Sequence, residues 1–168
     1  RLTTGGSPDL LHGDLDWVYP EEFGVRDGHL WSPDSQRIAF LKTDQSKVPS
    51  YPLTTLTTAQ ATVDLQRYPK AGDPNPKVRL GVLDIGDPRS EVSWFDPGAE
   101  YLPRFSWAAD QRLIVQSLDR RQKNLRVESI DTSTGKRTVL LTETDANWIN
   151  IHDDLRFLAG GNGFLWSS

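Results

Sequence analysis

Trp31-Ser-Pro-Asp34-Ser-Gln-Arg-Ile38-Ala-Phe40 decides how the chain is read. An aromatic residue is followed by a polar stretch containing Pro and Asp, and an apolar residue arrives seven positions after the aromatic. Pro and Asp favour a tight turn, and Ile-Ala-Phe then begins a strand, so Trp31 closes one strand of a hairpin and Ile38 opens the next. The pattern recurs. Phe157-Leu-Ala-Gly-Gly-Asn-Gly-Phe164-Leu-Trp166 has the same offset of seven, and Trp107-Ala-Ala-Asp110-Gln-Arg-Leu113-Ile-Val115 has it one residue tighter. Trp107 and Phe157 lie 50 residues apart, within reach of one four-stranded propeller blade. Trp31 and Trp107 lie 76 apart, and the excess is Val48–Pro76, with Pro49, Pro52, Pro69, Pro74, Pro76 and a Thr-rich stretch. Three blade cores fit, with an insertion in the first, and the first and third are the ones expected to be incomplete.

The rest of the chain has the same character. Arg37–Thr43, Lys77–Ile85, Leu113–Leu118, Leu125–Ile130 and Arg137–Thr142 are β-rich runs, each bounded by Pro, Gly, Asp, Asn or Ser. Asp131-Thr-Ser-Thr-Gly135 reads as a hairpin turn in which Gly can take positive φ. No dozen residues carry a helical apolar stripe. The short exception is Asp16–Phe23, DWVYPEEF. Asp16 suits its N-terminus, and Gly24 suits a left-handed exit. The expected fold is all-β: a partial propeller of about three four-stranded antiparallel blades and one short helix.

Composition sets bounds on function. The chain has 168 residues, 36% apolar, with six Trp and six Phe, enough to build a core. A net charge of −4 argues against nucleic acid as a partner, because phosphate binding wants a basic footprint. No apolar run approaches a membrane span. Without Cys there is no disulfide framework or thiolate metal site. His12, His29 and His152 lack a second ligand at helical spacing, and Asp14, Asp16, Glu21 and Glu22 do not have EF-hand spacing. No cofactor or metal is expected. The chain starts at Arg1 and stops inside the strand-like run Phe164-Leu165-Trp166-Ser167-Ser168, so it reads as a fragment.

The W-S-P-D-x-x-x-I-A-F pattern resembles the propeller repeats of the prolyl oligopeptidase superfamily and of TolB-like propellers. Three further segments narrow the resemblance. Asp16-Trp17-Val18-Tyr19-Pro20-Glu21-Glu22-Phe23 is similar to the double-glutamate helix of dipeptidyl peptidase IV enzymes. Residues 67–78, RYPKAGDPNPKV, resemble their Y-P-K-A-G-x-x-N-P-x-V segment, and Trp148–Leu158 resembles the bacterial members. Order and spacing agree over nearly the whole chain. Pro20 departs from the pattern, since many members have a third acidic residue there.

The resemblance implies an eight-bladed propeller stacked on an α/β-hydrolase domain. Residues 1–168 would then be about three blades of the N-terminal propeller domain, without the catalytic domain. The parent is expected to be a serine exopeptidase releasing N-terminal X-Pro or X-Ala dipeptides, periplasmic or secreted. No G-x-S-x-G elbow occurs in the chain, so the fragment alone is expected to be inactive. Its partners would be the missing hydrolase domain and a peptide with a free N-terminus, whose ammonium Glu21 and Glu22 are expected to hold. On a strand two adjacent carboxylates face opposite sides. On a helix they differ by about 100° and can grip one ammonium by charge-assisted hydrogen bonds. Tyr19 is read as either a wall of the substrate funnel or an anchor packing the helix onto the propeller. His152 and Asp153 align with a rim region. The alternative is a non-catalytic TolB-like propeller binding peptides or proteins.

An excised set of blades exposes faces that neighbours would cover, and the run Phe164-Leu165-Trp166 has no charge or Pro to discourage edge pairing. Self-association of the isolated chain is therefore expected. Light scattering after size exclusion at micromolar concentration should show dimers or larger species, and a well-folded strict monomer would contradict it.

Overall fold

A computed structural model of the chain describes residues 2–57, 59–87, 89–158 and 163–168. The first sheet contains β1 (Leu10–His12), β2 (His29–Trp31), β3 (Arg37–Asp44), β6 (Lys77–Asp84) and β7 (Ser93–Phe95). Between β3 and β6 the insertion forms its own two-stranded sheet, β4 (Ser50–Thr55) and β5 (Thr62–Arg67). The second sheet is an antiparallel meander of β8 (Tyr101–Trp107), β9 (Leu113–Leu118), β10 (Asn124–Ile130) and β11 (Arg137–Thr144). A third begins with β12 (Arg156–Phe157) and β13 (Phe164–Leu165). In all three the repeat places its aromatic at the end of one strand and its apolar residue at the start of the next. The Leu158–Gly163 connection of the third repeat lies partly outside the described residues.

In each of the two large sheets the two inner strands are largely buried, and their sequences show it. All six residues of β9 (LIVQSL) are buried, and β6 (KVRLGVLD) is buried over most of its length. Side chains from both sheets merge into one core containing Leu41, Leu80, Leu102, Leu113 and Leu118. Each such leucine contributes roughly 1.5–3 kcal/mol by leaving water. The repeat aromatics also tie neighbouring sheets together. Trp107 Nε1 donates to the Leu30 carbonyl at 3.3 Å, with the Arg37 guanidinium 5.2 Å over its ring. Trp166 Nε1 donates to Glu143 Oε2 of β11 at 2.8 Å.

The first blade fills all four strand positions, because its first strand is split. β1 and β2 both pair with the same edge of β3: His12 stands opposite Lys42, and His29 opposite Phe40. Only Leu41 lies between, and two glycines share it. Gly13 N–H donates to the Leu41 carbonyl at 2.7 Å, and Leu41 N–H donates to the Gly28 carbonyl at 2.8 Å. Residues 14–27 leave the strand here and return to it, carrying the helix. Strand periodicity could not show this, because neither three-residue piece makes a recognisable run.

Gly28 has no room for a side chain. A Cβ there would stand 2.8 Å from the Gly13 carbonyl oxygen and 3.2 Å from the Asp14 nitrogen, both backbone atoms that cannot turn away. Gly28→Ala should therefore destabilise the chain by about 1–3 kcal/mol through overpacking. At Gly6 the nearest atom to a Cβ would be 3.6 Å away, and Gly6→Ala should change stability by less than about 0.5 kcal/mol. Urea denaturation of both variants tests the difference.

Candidate functional site

The excursion holds helix α1, Val18–Phe23. Six residues are too few to nucleate a helix in isolation, so its stability comes from its ends and its buried face. Asp16 Oδ2 accepts from Val18 N–H at 3.0 Å. Burial raises the Asp16 carboxyl above its ordinary value, against the pull of the backbone N–H groups it accepts from. Pro20 sits in the first turn, where its missing N–H has no intrahelical partner to lose. At the other end Gly24 takes the left-handed conformation (φ 64°), and Val25 N–H closes on the Tyr19 carbonyl at 3.1 Å. Arg104 Nη1 donates to the Phe23 carbonyl at 2.9 Å, capping the last turn with a cation.

Val18, Tyr19 and Phe23 form the inward face. Phe23 packs between Tyr19 and Tyr101, with ring centroids 5.7 and 5.1 Å apart. Tyr19 is 1% exposed, and its hydroxyl accepts from the Leu102 N–H of β8 at 3.0 Å. Of the two roles open for Tyr19, the funnel wall is therefore corrected: it is the anchor beneath the helix, because its ring is turned into the core. Burial pushes its phenol well above the ordinary value.

Glu21 and Glu22 form the outward face, and both are exposed. A concavity of about 380 Å³ opens beside them, lined by both glutamates with Trp17, Lys70, Tyr101 and Arg120. A second, of about 480 Å³, lies on the other side of Glu22, with Arg121, Gln122, Asn147 and Trp148 among its walls. Glu22 Oε1 accepts from Gln122 Nε2. Among the described residues neither glutamate forms an ion pair. Arg120 is committed elsewhere: it donates to the Asp73 carbonyl at 2.6 Å and pairs with Glu100 at 3.4 Å. Asn75 completes that rim, donating to the Tyr101 hydroxyl at 2.7 Å and to Glu100 at 3.0 Å.

His152 and Asp153 line neither concavity. Asp153 pairs with Arg104 Nε at 2.6 Å, on the guanidinium that caps α1. His152 Nδ1 accepts from Asp154 N–H at 3.2 Å, and its ring lies 4.3 Å from that of Trp166. Arg104, Arg120 and Gln122 were not found from sequence. The Asp119–Asn124 turn was legible as punctuation between strands, but nothing in it marks which side chains reach α1.

A family model described as Dipeptidyl peptidase IV (DPP IV) N-terminal region matches residues 1–168. The chain belongs to this family. A protein described as "Probable dipeptidyl-aminopeptidase B" from Grosmannia clavigera is 32% identical over 94% of the chain, which spans 18% of that protein. One of the same description from Paracoccidioides brasiliensis is also 32% identical over 94% of the chain, which spans 20% of it. Among solved structures, Porphyromonas gingivalis dipeptidyl peptidase 4 superposes with a TM-score of 0.85 at 30% identity. That match covers 97% of this chain and 24% of that one. The chain thus spans about a fifth to a quarter of the length of the relatives it matches. This DPP IV N-terminal segment has fungal as well as bacterial relatives, so the likeness to bacterial members is not exclusive.

Tyr19 connects the helix to the second blade by a single buried hydroxyl. Tyr19→Phe keeps the ring but strips the Leu102 N–H of its acceptor, and should cost about 1–3 kcal/mol. A raised phenol pKa means the folded state keeps a proton that the unfolded state loses above about pH 10. That contribution is complete below pH 10 and fades above it. Urea midpoints measured from pH 7 to 11 should fall less steeply for Tyr19→Phe than for the parent at the alkaline end.

Proposed function

We propose that this chain is the propeller portion of a serine exopeptidase that releases N-terminal dipeptides with Pro or Ala second, and that Glu21 and Glu22 hold the substrate's free ammonium. The carrying observation is the pair itself: two adjacent carboxylates on a helix fixed at both ends and beneath, exposed beside a concavity and, among the described residues, without an ion pair to either. Membership of the DPP IV N-terminal family and the names of the relatives support the reading.

An ammonium presents three donors and no acceptor. Two carboxylates about 100° apart around a helix approach it from different directions and balance its charge. A substrate extended beyond that end would have no ammonium to offer, so the pair would also count residues from the terminus. The hydrolase domain of the parent would supply the nucleophile, and the propeller would gate access to it.

Glu21→Gln or Glu22→Gln in the full-length parent should lower kcat/KM on an X-Pro chromogenic dipeptide by about a hundredfold, because a half-paired desolvated ammonium loses a few kcal/mol. The melting temperature should stay within about 2 °C, since exposed substitutions change stability little. Steady-state kinetics decide it: equal kcat/KM in variant and parent would remove the role.

A further inference from the structure

We infer that Gln122 is a positioning residue for the carboxylate pair, holding Glu22 so that one oxygen belongs to the protein and the other is left for a ligand cation. The inference rests on the ammonium-binding reading of Glu21 and Glu22. Gln122 lies in the turn between β9 and β10, 100 residues along the chain from Glu22, and its side-chain amide donates to Glu22 Oε1. Its own position is fixed from two further directions. Its N–H donates to the Asp119 carbonyl at 2.9 Å, and its carbonyl accepts from Ile149 N–H at 2.6 Å. The Asp119 carboxylate secures the turn by accepting from Lys123 N–H at 2.8 Å and from Asn124 Nδ2 at 2.5 Å. The donor aimed at Glu22 therefore sits on a frame anchored to the second blade and to the segment that follows it.

The backbone at Gln122 makes the choice of side chain informative. Its φ is +56°, a left-handed conformation that suits Gly or Asn better than Gln. Gly has no side chain to offer, and Asn is one carbon shorter. A residue poorly suited to its backbone, but long enough to reach the helix, occupies the turn. The chemistry of the group fits the role as well. A neutral amide can orient a carboxylate without neutralising it, whereas Lys or Arg at this position would compete with the ligand cation for the same charge. Glu21 has no such partner among the described residues, so the two carboxylates are inequivalent: one is held and one is free to adjust.

The test uses the full-length protein and an X-Pro chromogenic dipeptide, comparing Gln122→Gly, Gln122→Glu and Glu22→Gln. Gln122→Gly relieves the left-handed backbone, so its melting temperature should equal or exceed the parent's. Its KM should nonetheless rise about five- to tenfold with kcat within about twofold, because the lost interaction serves ground state and transition state alike. Gln122→Glu has the same shape but sets a carboxylate against Glu22, and should raise KM at least as much. Should Gln122→Gly melt below the parent, Gln122→Glu decides: parent-like melting with raised KM supports the role, and unchanged KM overturns it. If Glu22→Gln raises KM while both Gln122 variants leave it within about twofold, the positioning role is overturned and the ammonium reading stands. If Glu22→Gln itself leaves KM unchanged, both fall.

Discussion

The peptide unit of Leu41 is the point on which the arrangement turns. Its carbonyl and N–H are satisfied by two glycines fifteen positions apart in sequence, and the ladder of the first sheet passes through without a gap. A buried backbone group left unpaired costs on the order of 1–3 kcal/mol, and an excursion from a strand ordinarily leaves two. Here it leaves none at that position. The condition is that residue 28 lies against the Gly13 backbone, which leaves no room for a Cβ at Gly28, while Gly13 turns the chain out of the strand with a left-handed φ of 72°. The hydrogen-bonding rule of the sheet therefore decides where a helix can emerge from an all-β scaffold.

What emerges is not a helix that could exist alone. Its stability is borrowed from three directions: the hydroxyl of Tyr19 on β8, the aromatic contacts of Phe23, and the Arg104 guanidinium at its last carbonyl. Arg104 also holds Asp153, so the segment after β11 and the end of α1 share one cation. Near its start, Trp17 packs on Tyr68 from the base of the insertion, with centroids 5.1 Å apart. Arg67 anchors that base to the turn before the first strand, pairing with Asp9 at 2.8 Å and donating to the Val48 carbonyl at 2.9 Å. The glutamates thus project from a surface held by both complete blades and the insertion, which limits the conformational freedom a ligand would otherwise have to remove.

In the second blade β9, β10 and β11 were legible to within a residue or two, because each is a short β-rich run ended by polar turns, whereas β8 was marked only at its end, by Trp107. The helix was legible from Asp16 and Gly24 and from the two acidic residues between them. The split first strand was not, since three-residue pieces carry too little periodicity to be told from loop. Nor was the pairing within the insertion, where Pro52 stands opposite Leu65 in a Pro- and Thr-rich stretch. At the site, Glu21 and Glu22 were visible because they are neighbours in sequence. Gln122, Arg104 and Arg120 were not, because each acts across tens of residues or more and no local pattern encodes such a distance. The inward turn of Tyr19 follows from helix geometry: four residues before Phe23, it shares that residue's face.

The split strand also makes the helix modular. The register on either side of Leu41 is continuous, with His12 opposite Lys42 and His29 opposite Phe40. Removing residues 14–28 and joining Gly13 to His29 would give an unbroken strand of ordinary alternation, with each side chain still on its own side of the sheet. In architectural terms α1 is a cassette seated in a seam, and the seam is indifferent to the cassette's length or content. The coupling lies elsewhere, in the apolar residues of α1 that complete the core beside Leu102 and Tyr101. A replacement cassette would be constrained at its inner face and unconstrained at its outer one, so what the blade presents to its surroundings can be exchanged without redrawing the blade.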